Sequence, residues 1–371
     1  MIKCINIISD SNIGGAGKVL LSYLQNCDRE DFDHAVIVPR GSLLIQEIQA
    51  LGIRVIEFDG MADKSYDKKD VKGLMTLLRQ EAPDVVHCHG ALSGRIAASR
   101  CGIKTVHTRH SIFDQPTYKK RFPMKQILGA VNNRYGDVII AVSPAAKDNI
   151  VEIGTDPNKV EVVFNGIPHP RVLTAKARKE VRAKYSIADH TFICAIIARL
   201  EEVKGHHYVL EAAKLLAEQG ENVTIIIAGT GSREEALREE AKSMGLTNVI
   251  FTGFIKTIWE IENIMDLQLN ASYGTEATSI SLLEGMSLGI PAAVSDFGGN
   301  PYVIEDGVNG VLFRKKDSEA LAQAILRCKN DPGFYQTMAA NCPKIFEERF
   351  TGEVMARNIE AIYRRLAHKG E

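Results

Sequence analysis

The sequence predicts an α/β protein built as two doubly wound parallel sheets that face each other across a cleft. Three observations predict it. Short β-branched runs alternate with amphipathic helical stretches from end to end, the pattern of parallel sheets with helices on both faces. At 371 residues, the chain is too long for one ordinary domain. The chemically unusual residues fall repeatedly just after the strands, at the edge where open parallel sheets bind ligands.

The strands follow in order. A first series is expected at Ile2–Ile8, His34–Val38, Arg54–Phe58, Val85–His87, Thr105–His107, Val138–Val142 and Val160–Phe164. A second is expected at Phe192–Ile197, Thr224–Ala228, Val249–Thr252, Leu267–Asn270, Ala292–Ser295 and Gly310–Leu312. Helical patterns fill the gaps. Between the series, Asn165-Gly-Ile-Pro168-His-Pro170 interrupts the alternation. The boundaries are therefore drawn at 1–170 and 171–350, with 351–371 as a terminal segment. Its amphipathic stretch Thr351–Lys369 is a helix that could cross back onto the first domain.

Composition bounds the function. A hydrophobic content of 45%, a charged content of 25% and a net charge of -1 describe a globular protein with no nucleic-acid partner. The run Ile2–Ile8 leads straight into a polar, Gly-rich loop, so no secretory leader is expected. No apolar run approaches the roughly 20 residues of a membrane span. The seven cysteines are scattered without a Cys-x-x-Cys pair, which argues against a disulfide framework or zinc site and fits a reducing cytoplasm.

The richest stretch runs from Glu276 to Asn300. Glu276 and Glu284 stand eight positions apart across an expected helix start. Were both helical, they would share a broad face, within roughly 80° and about 12 Å along the axis. That span suits the two ends of an elongated polyol, and the helix N-terminus between them suits an anion such as a diphosphate. Ser281-Leu-Leu-Glu284 also matches a capping box, in which Glu284 would serve only the backbone.

Other motifs are weaker. Gly14-Gly15-Ala16-Gly17-Lys18 is not a P-loop, because Asn12 and Val19 stand where Gly and Ser or Thr are required. It is either a tight strand-to-helix turn or a place where backbone approaches a phosphate. Gly229-Thr230-Gly231 lacks the third glycine of a dinucleotide fingerprint, Glu234 standing there, which disfavours a dehydrogenase. His87-Cys88-His89 has the composition of a metal pair, but its side chains are expected to diverge at a strand end, so no metal is assigned. His110, past a strand end with Arg109 and Ser111, is a better candidate for chemistry; the alternative is a solvent-facing or capping histidine. Asp31-Phe32-Asp33 is expected before its strand, as solvated turn charge. Arg199 and Lys204 lie near a helix start, where cations are disfavoured, and so point to a compensating anion. From Arg100 to Arg134 there are eight Lys or Arg and a single acid, Asp114. Within that stretch Lys119, Lys120, Arg121 and Lys125 are interleaved with Tyr118, Phe122 and Met124, suggesting anionic lipid headgroups or a phosphorylated acceptor.

Together these residues resemble the retaining glycosyltransferases of family 4, whose GT-B fold sets two Rossmann-like domains face to face. The resemblance covers essentially the whole chain. It rests on the Glu276…Glu284 spacing, on Ala198-Arg199-Leu200…Lys204-Gly205, on Asn165-Gly166-Ile167, on the first Gly-Gly-Ala turn and on Gly298-Gly299-Asn300. It implies an acceptor-side first domain and a second domain that binds a nucleotide-diphosphate sugar, with a UDP-sugar favoured. Glu284 would bind ribose and Glu276 the sugar hydroxyls. The amides of Thr278, Ser279, Ile280 and Ser281, with Gly15 and Gly229, would lie close to the donor, and the backbone near Ile255 would read the base. Arg199 and Lys204 would neutralise the leaving diphosphate in place of a metal, and His110 would touch the donor sugar.

The acceptor would be a glycan, glycolipid or lipid-linked sugar of cell-surface polysaccharide synthesis. The basic 119–125 segment would rest on the inner face of the membrane. Ala277 and Thr278 replace the Gly and aromatic residue often found after the first Glu, and Gly17 replaces a common Glu. Two rivals stand beside this reading: a nucleotide-sugar epimerase of GT-B-like fold and a non-catalytic sugar-binding protein.

Overall fold

The computed structural model describes residues 1–367; residues 368–371, which include the end of the expected terminal helix, lie outside the described residues. The chain divides into two units. One is Met1–Pro168 together with the segment from Arg349 onward, and the other is His169–Glu348.

The first unit contains β1 (Ile2–Ile8), β2 (Phe32–Pro39), β3 (Arg54–Phe58), β4 (Val85–His89), β5 (Lys104–Arg109), β6 (Val138–Ala141) and β7 (Val160–Val162). They form one sheet in the order β3-β2-β1-β4-β5-β6-β7, parallel throughout. The second unit contains β8 (Phe192–Ile197), β9 (Val223–Ala228), β10 (Val249–Gly253), β11 (Leu267–Asn270), β12 (Ala292–Ser295) and β13 (Gly310–Phe313). Its parallel sheet has the order β10-β9-β8-β11-β12-β13.

The sequence dictates these sheets through burial on both faces. Ile5, Ile7 and Ile8 of β1, and Ile225, Ile226 and Ile227 of β9, are fully buried. Only a strand covered by helices above and below gives consecutive apolar residues that environment. In the second unit Val209, Leu210, Ala213 and Leu216 of the helix His206–Glu218 pack on one face, and Ile261, Ile264 and Met265 on the other.

Each sheet order reverses direction once, between β1 and β4 and between β8 and β11. There the helices leaving neighbouring strands diverge to opposite faces, which opens a crevice at the carboxyl ends. This fixes where chemistry can sit in each unit.

Three strand limits differ from expectation with consequences. β4 and β5 continue to His89 and Arg109, because their polar side chains find partners inside the unit. β2 begins at Phe32, so Asp33 lies within the strand. Asp31 is not merely solvated turn charge: it takes a 2.9 Å ion pair from Arg364.

Arg364 belongs to the final helix, Gly352–Ala367, which buries Met355, Ala356, Ile359, Ile362, Tyr363 and Leu366 at helical spacing. It lies against the helix Gly15–Asn26 of the first unit. The return is pinned by reciprocal backbone bonds, Ile167 N–H to Phe350 O and Gly352 N–H to Ile167 O, each 3.0 Å. A Cβ at Gly166 would lie 2.1 Å from Thr351 O, so only glycine allows this approach.

Candidate functional site

In the second unit the loops leaving β8 and β11 meet at the reversal point. After β8 the chain passes exposed Arg199 to a short 3-10 turn, Glu202–Lys204, that ends at Gly205 with φ 72°. A Cβ at Gly205 would lie 2.1 Å from Ala271 O, so this glycine lets the first loop lie directly on the second. Lys204 Nζ consequently reaches the Thr275 carbonyl at 3.1 Å and Glu276 Oε2 at 3.0 Å. Asn270 Nδ2 at 3.0 Å and Ser272 Oγ at 2.9 Å donate to the same oxygen. Glu276 is 7% exposed, so its charge is tolerated only because an ammonium and two neutral donors surround it.

Glu276 is not helical. The helix of this loop is Ile280–Ser287, and Glu276 precedes it by a turn, so the two carboxylates do not share a helical face. Glu284 alone is on the helix. Nor is there a capping box: the N-cap residue is Ser279, and Ser281 Oγ lies 3.0 Å from Ser279 Oγ and donates to the Ile197 carbonyl at 3.2 Å. Gly299 N–H donates to Glu276 O at 2.8 Å, and a Cβ at Gly299 would fall 1.8 Å from Ala277 O. The Gly298-Gly299 loop thus clamps the backbone that carries Glu276.

Gly229, at φ 141°, is a packing glycine, since a Cβ there would lie 2.1 Å from Ala198 O. Ile255, on the loop after β10, is half-buried against the apolar cluster beneath the sheet.

In the first unit the reversal point is lined by histidines. His87 and His89 do converge: residues two apart on a strand share a face, and their rings stack with centroids 4.3 Å apart. His87 Nδ1 lies 2.6 Å from the Tyr363 hydroxyl and its Nε2 2.6 Å from Thr108 Oγ1. His89 Nε2 donates to Asn6 Oδ1 at 3.3 Å, so its Nδ1 accepts from His110 Nε2 at 2.9 Å. His110 Nδ1 is left as a buried acceptor without a partner. His110 is therefore neither solvent-facing nor a cap. With His87, His89, Thr108, Tyr23 and Asn165 it lines a small cavity. Burial pushes His110 down to about 4 and His87 to about 3, and holds His89 and His107 well below the usual imidazole range. No cluster of three or more His, Cys, Asp or Glu placed to hold a metal occurs among the described residues.

Gly15 opens the helix Gly15–Asn26 beside this crevice, and a Cβ there would meet nothing within 4 Å. Packing does not demand glycine at that position. Of the basic segment, Lys120 pairs with Glu152 at 2.7 Å, whereas Arg121 and Lys125 are exposed and Lys119 half-buried. Tyr118, Phe122 and Ile127 stand out among them at 59%, 80% and 51% exposure.

Known proteins match this arrangement over nearly the whole chain. The family model "Glycosyltransferase Family 4" matches residues 13–171, and "Glycosyl transferases group 1" matches residues 177–345. This chain belongs to the family 4 type glycosyltransferases. The UDP-Gal:alpha-D-GlcNAc-diphosphoundecaprenol alpha-1,3-galactosyltransferase of Escherichia coli is 26% identical over 347 residues, 89% of this chain and 88% of that protein. Anabaena Alr3699/HepE in complex with UDP superposes with a TM-score of 0.83 at 21% identity, over 98% of this chain and 100% of that one. A glycosyltransferase from Rickettsia africae gives a TM-score of 0.85 at 20% identity, over 98% of each chain. The fold is thus that of the GT-B glycosyltransferases.

Asn270, Ser272, Asn6 and His89 of this glycosyltransferase hold its candidate residues yet were not assigned from sequence. Their signal was faint: Asn6 lies inside β1 and Asn270 ends β11, strands that also carry Lys3 and Gln268, so a polar residue there does not stand out.

The buried histidines give a signed pH dependence. A group near 4 when folded and 6.5 when exposed binds more protons unfolded, so stability is complete above 6.5 and falls as pH drops toward 4. At a pH of about 5.5 each should cost on the order of 1 kcal/mol. Urea unfolding from about pH 7.5 to 5.5 should therefore show a loss of several kcal/mol for the first unit, whereas a flat profile would contradict the burial of neutral imidazoles.

Proposed function

We propose that this chain moves a sugar, with retention of anomeric configuration, from a nucleotide-diphosphate sugar to a glycan, glycolipid or lipid-linked acceptor. A UDP-sugar is the favoured donor and cell-surface polysaccharide synthesis the setting. The observation that carries this reading is the Lys204–Glu276 pair at the reversal point of the second sheet. The Escherichia coli relative is named for UDP-Gal and a diphosphoundecaprenol-linked GlcNAc, which supports this choice of donor and acceptor class.

The chemical task is to expel a diphosphate from the anomeric carbon. Negative charge grows on the leaving oxygens as the sugar becomes oxocarbenium-like. Exposed Arg199, Lys204 and the N-terminal amides of the helix Ile280–Ser287 are fixed positive groups for that charge, and they supply the role a metal fills elsewhere. Glu276 Oε2 already accepts three hydrogen bonds, which favours a sugar-binding role over attack on carbon. In this reading Glu284 holds the ribose, Gly15 gives the diphosphate close approach, Thr278 to Ser281 line the donor and the backbone at Ile255 meets the base. His110 Nδ1 is suited to accept from a sugar hydroxyl. The acceptor attacks on the face the diphosphate leaves, and a diphosphate oxygen takes its proton.

Lys204→Ala should lower kcat/KM for transfer by roughly 100-fold or more, the scale of losing one preorganised charge partner. Because it leaves the buried Glu276 carboxylate without its ammonium, its thermal midpoint should also fall, by roughly 10 °C, so transfer is compared at a temperature where the variant is folded. A folded variant with undiminished transfer, or product of inverted configuration by NMR, would overturn the reading.

The exposed Tyr118, Phe122 and Ile127 among cations suggest peripheral docking on an anionic, cytoplasmic membrane face. No described helix is long and apolar enough to cross a membrane. Wild type should float with vesicles containing anionic lipid at low salt, and a Lys119/Arg121/Lys125→Ala variant should not. Equal flotation of the two, or none, would count against docking.

A further inference from the structure

The carboxylate at Glu276 sits at the end of a bracket that runs through two strand ends. Asn300 Nδ2 donates to the Ser295 carbonyl at 3.2 Å and lies 3.1 Å from Ser295 Oγ. Ser295 Oγ donates to the Ser272 carbonyl at 2.6 Å. Ser272 N–H donates to Asn270 Oδ1 at 3.1 Å. Asn270 Nδ2 and Ser272 Oγ then close the bracket on Glu276 Oε2 at 3.0 and 2.9 Å. Asn270, Ser272, Ser295 and Asn300 are 8%, 1%, 0% and 1% exposed, so water does not compete for these bonds.

Two details make this more than internal packing. Asn270 uses both ends of its amide, which fixes its orientation: the oxygen must face Ser272 and the nitrogen must face Glu276. All bonds of the bracket fall on Oε2, together with Lys204, leaving Oε1 outside the network. We infer that Asn270 and Ser272 are positioning residues that lock Glu276 with Oε1 presented to the donor sugar. The inference rests on the reading of Glu276 as the sugar-binding carboxylate.

A merely structural role would weaken every ligand alike, whereas a positioning role acts on the sugar half alone. Binding of UDP-glucose and of UDP is measured by calorimetry for wild type, Asn270→Ala, Ser272→Ala, Glu276→Ala and the Asn270→Ala/Glu276→Ala double variant. Asn270→Ala and Ser272→Ala should each weaken UDP-glucose by roughly 10-fold or more, the worth of a hydrogen bond to a charged group. UDP itself should change by less than about twofold, which also reports that the variants are folded. In the Glu276→Ala background Asn270→Ala should add nothing further. Asn270→Asp keeps the shape but turns the donor into an acceptor, and should lose at least as much as Asn270→Ala.

Equal losses for UDP and UDP-glucose, or an undiminished effect of Asn270→Ala without Glu276, would overturn the inference. Should Glu276→Ala bind UDP-glucose as tightly as wild type does, the sugar-clamp reading itself fails. Should it bind weakly while Asn270→Ala and Ser272→Ala remain normal, only the positioning role fails.

Discussion

A buried carboxylate must be answered by its surroundings, and in the second unit that requirement organises the site. Glu276 lies inside the protein and takes three donors on one oxygen. To supply them, the loop after β8 must lie against the loop after β11. Gly205 gives the first loop its approach, and Gly298 and Gly299 hold the second from the other side. Removing one partner would leave charge uncompensated in the interior, a loss of about 3–5 kcal/mol in comparable buried pairs. The strain-free way to keep the pair is to keep all three loops in place, so the candidate site and the local fold are the same structure.

The first unit handles its polar interior differently. Its crevice holds imidazoles rather than opposed charges, and burial keeps them neutral. Neutral rings can be chained, each accepting at one nitrogen and donating at the other. The chain from Asn6 through His89 to His110 ends in one unpaired acceptor. Tyr363, brought in by the final helix, plays the same part for His87. One unit thus answers burial with opposed charges. The other answers it with neutral hydrogen-bonding groups.

Much of this was legible in the sequence, for identifiable reasons. Runs such as Thr224–Ala228 carry the β-branched, apolar character of strands buried on both faces, and their alternation with helical stretches marks doubly wound sheets. Arg199, Lys204 and Glu276 were marked by their place after strands. What was not legible depended on contacts distant in sequence. The shared helical face considered for Glu276 and Glu284 does not form, because an eight-residue spacing does not say where a helix begins; Ser279 does. The divergence of His87 and His89 failed against the period-two geometry of a strand. The partnership of Asp31 with Arg364 spans most of the chain, and no local pattern announces it.

In the proposed function, donor sugar and leaving diphosphate separate at the Lys204–Glu276 pair. A crystal structure of the chain with UDP-glucose tests it most directly. Diphosphate oxygens should lie at hydrogen-bonding distance, about 3 Å, from Lys204 and Arg199, with sugar hydroxyls on Glu276 Oε1 and no covalent bond from Glu276 to the sugar. A nucleotide bound away from this pair, or a glycosyl ester on Glu276, would contradict it.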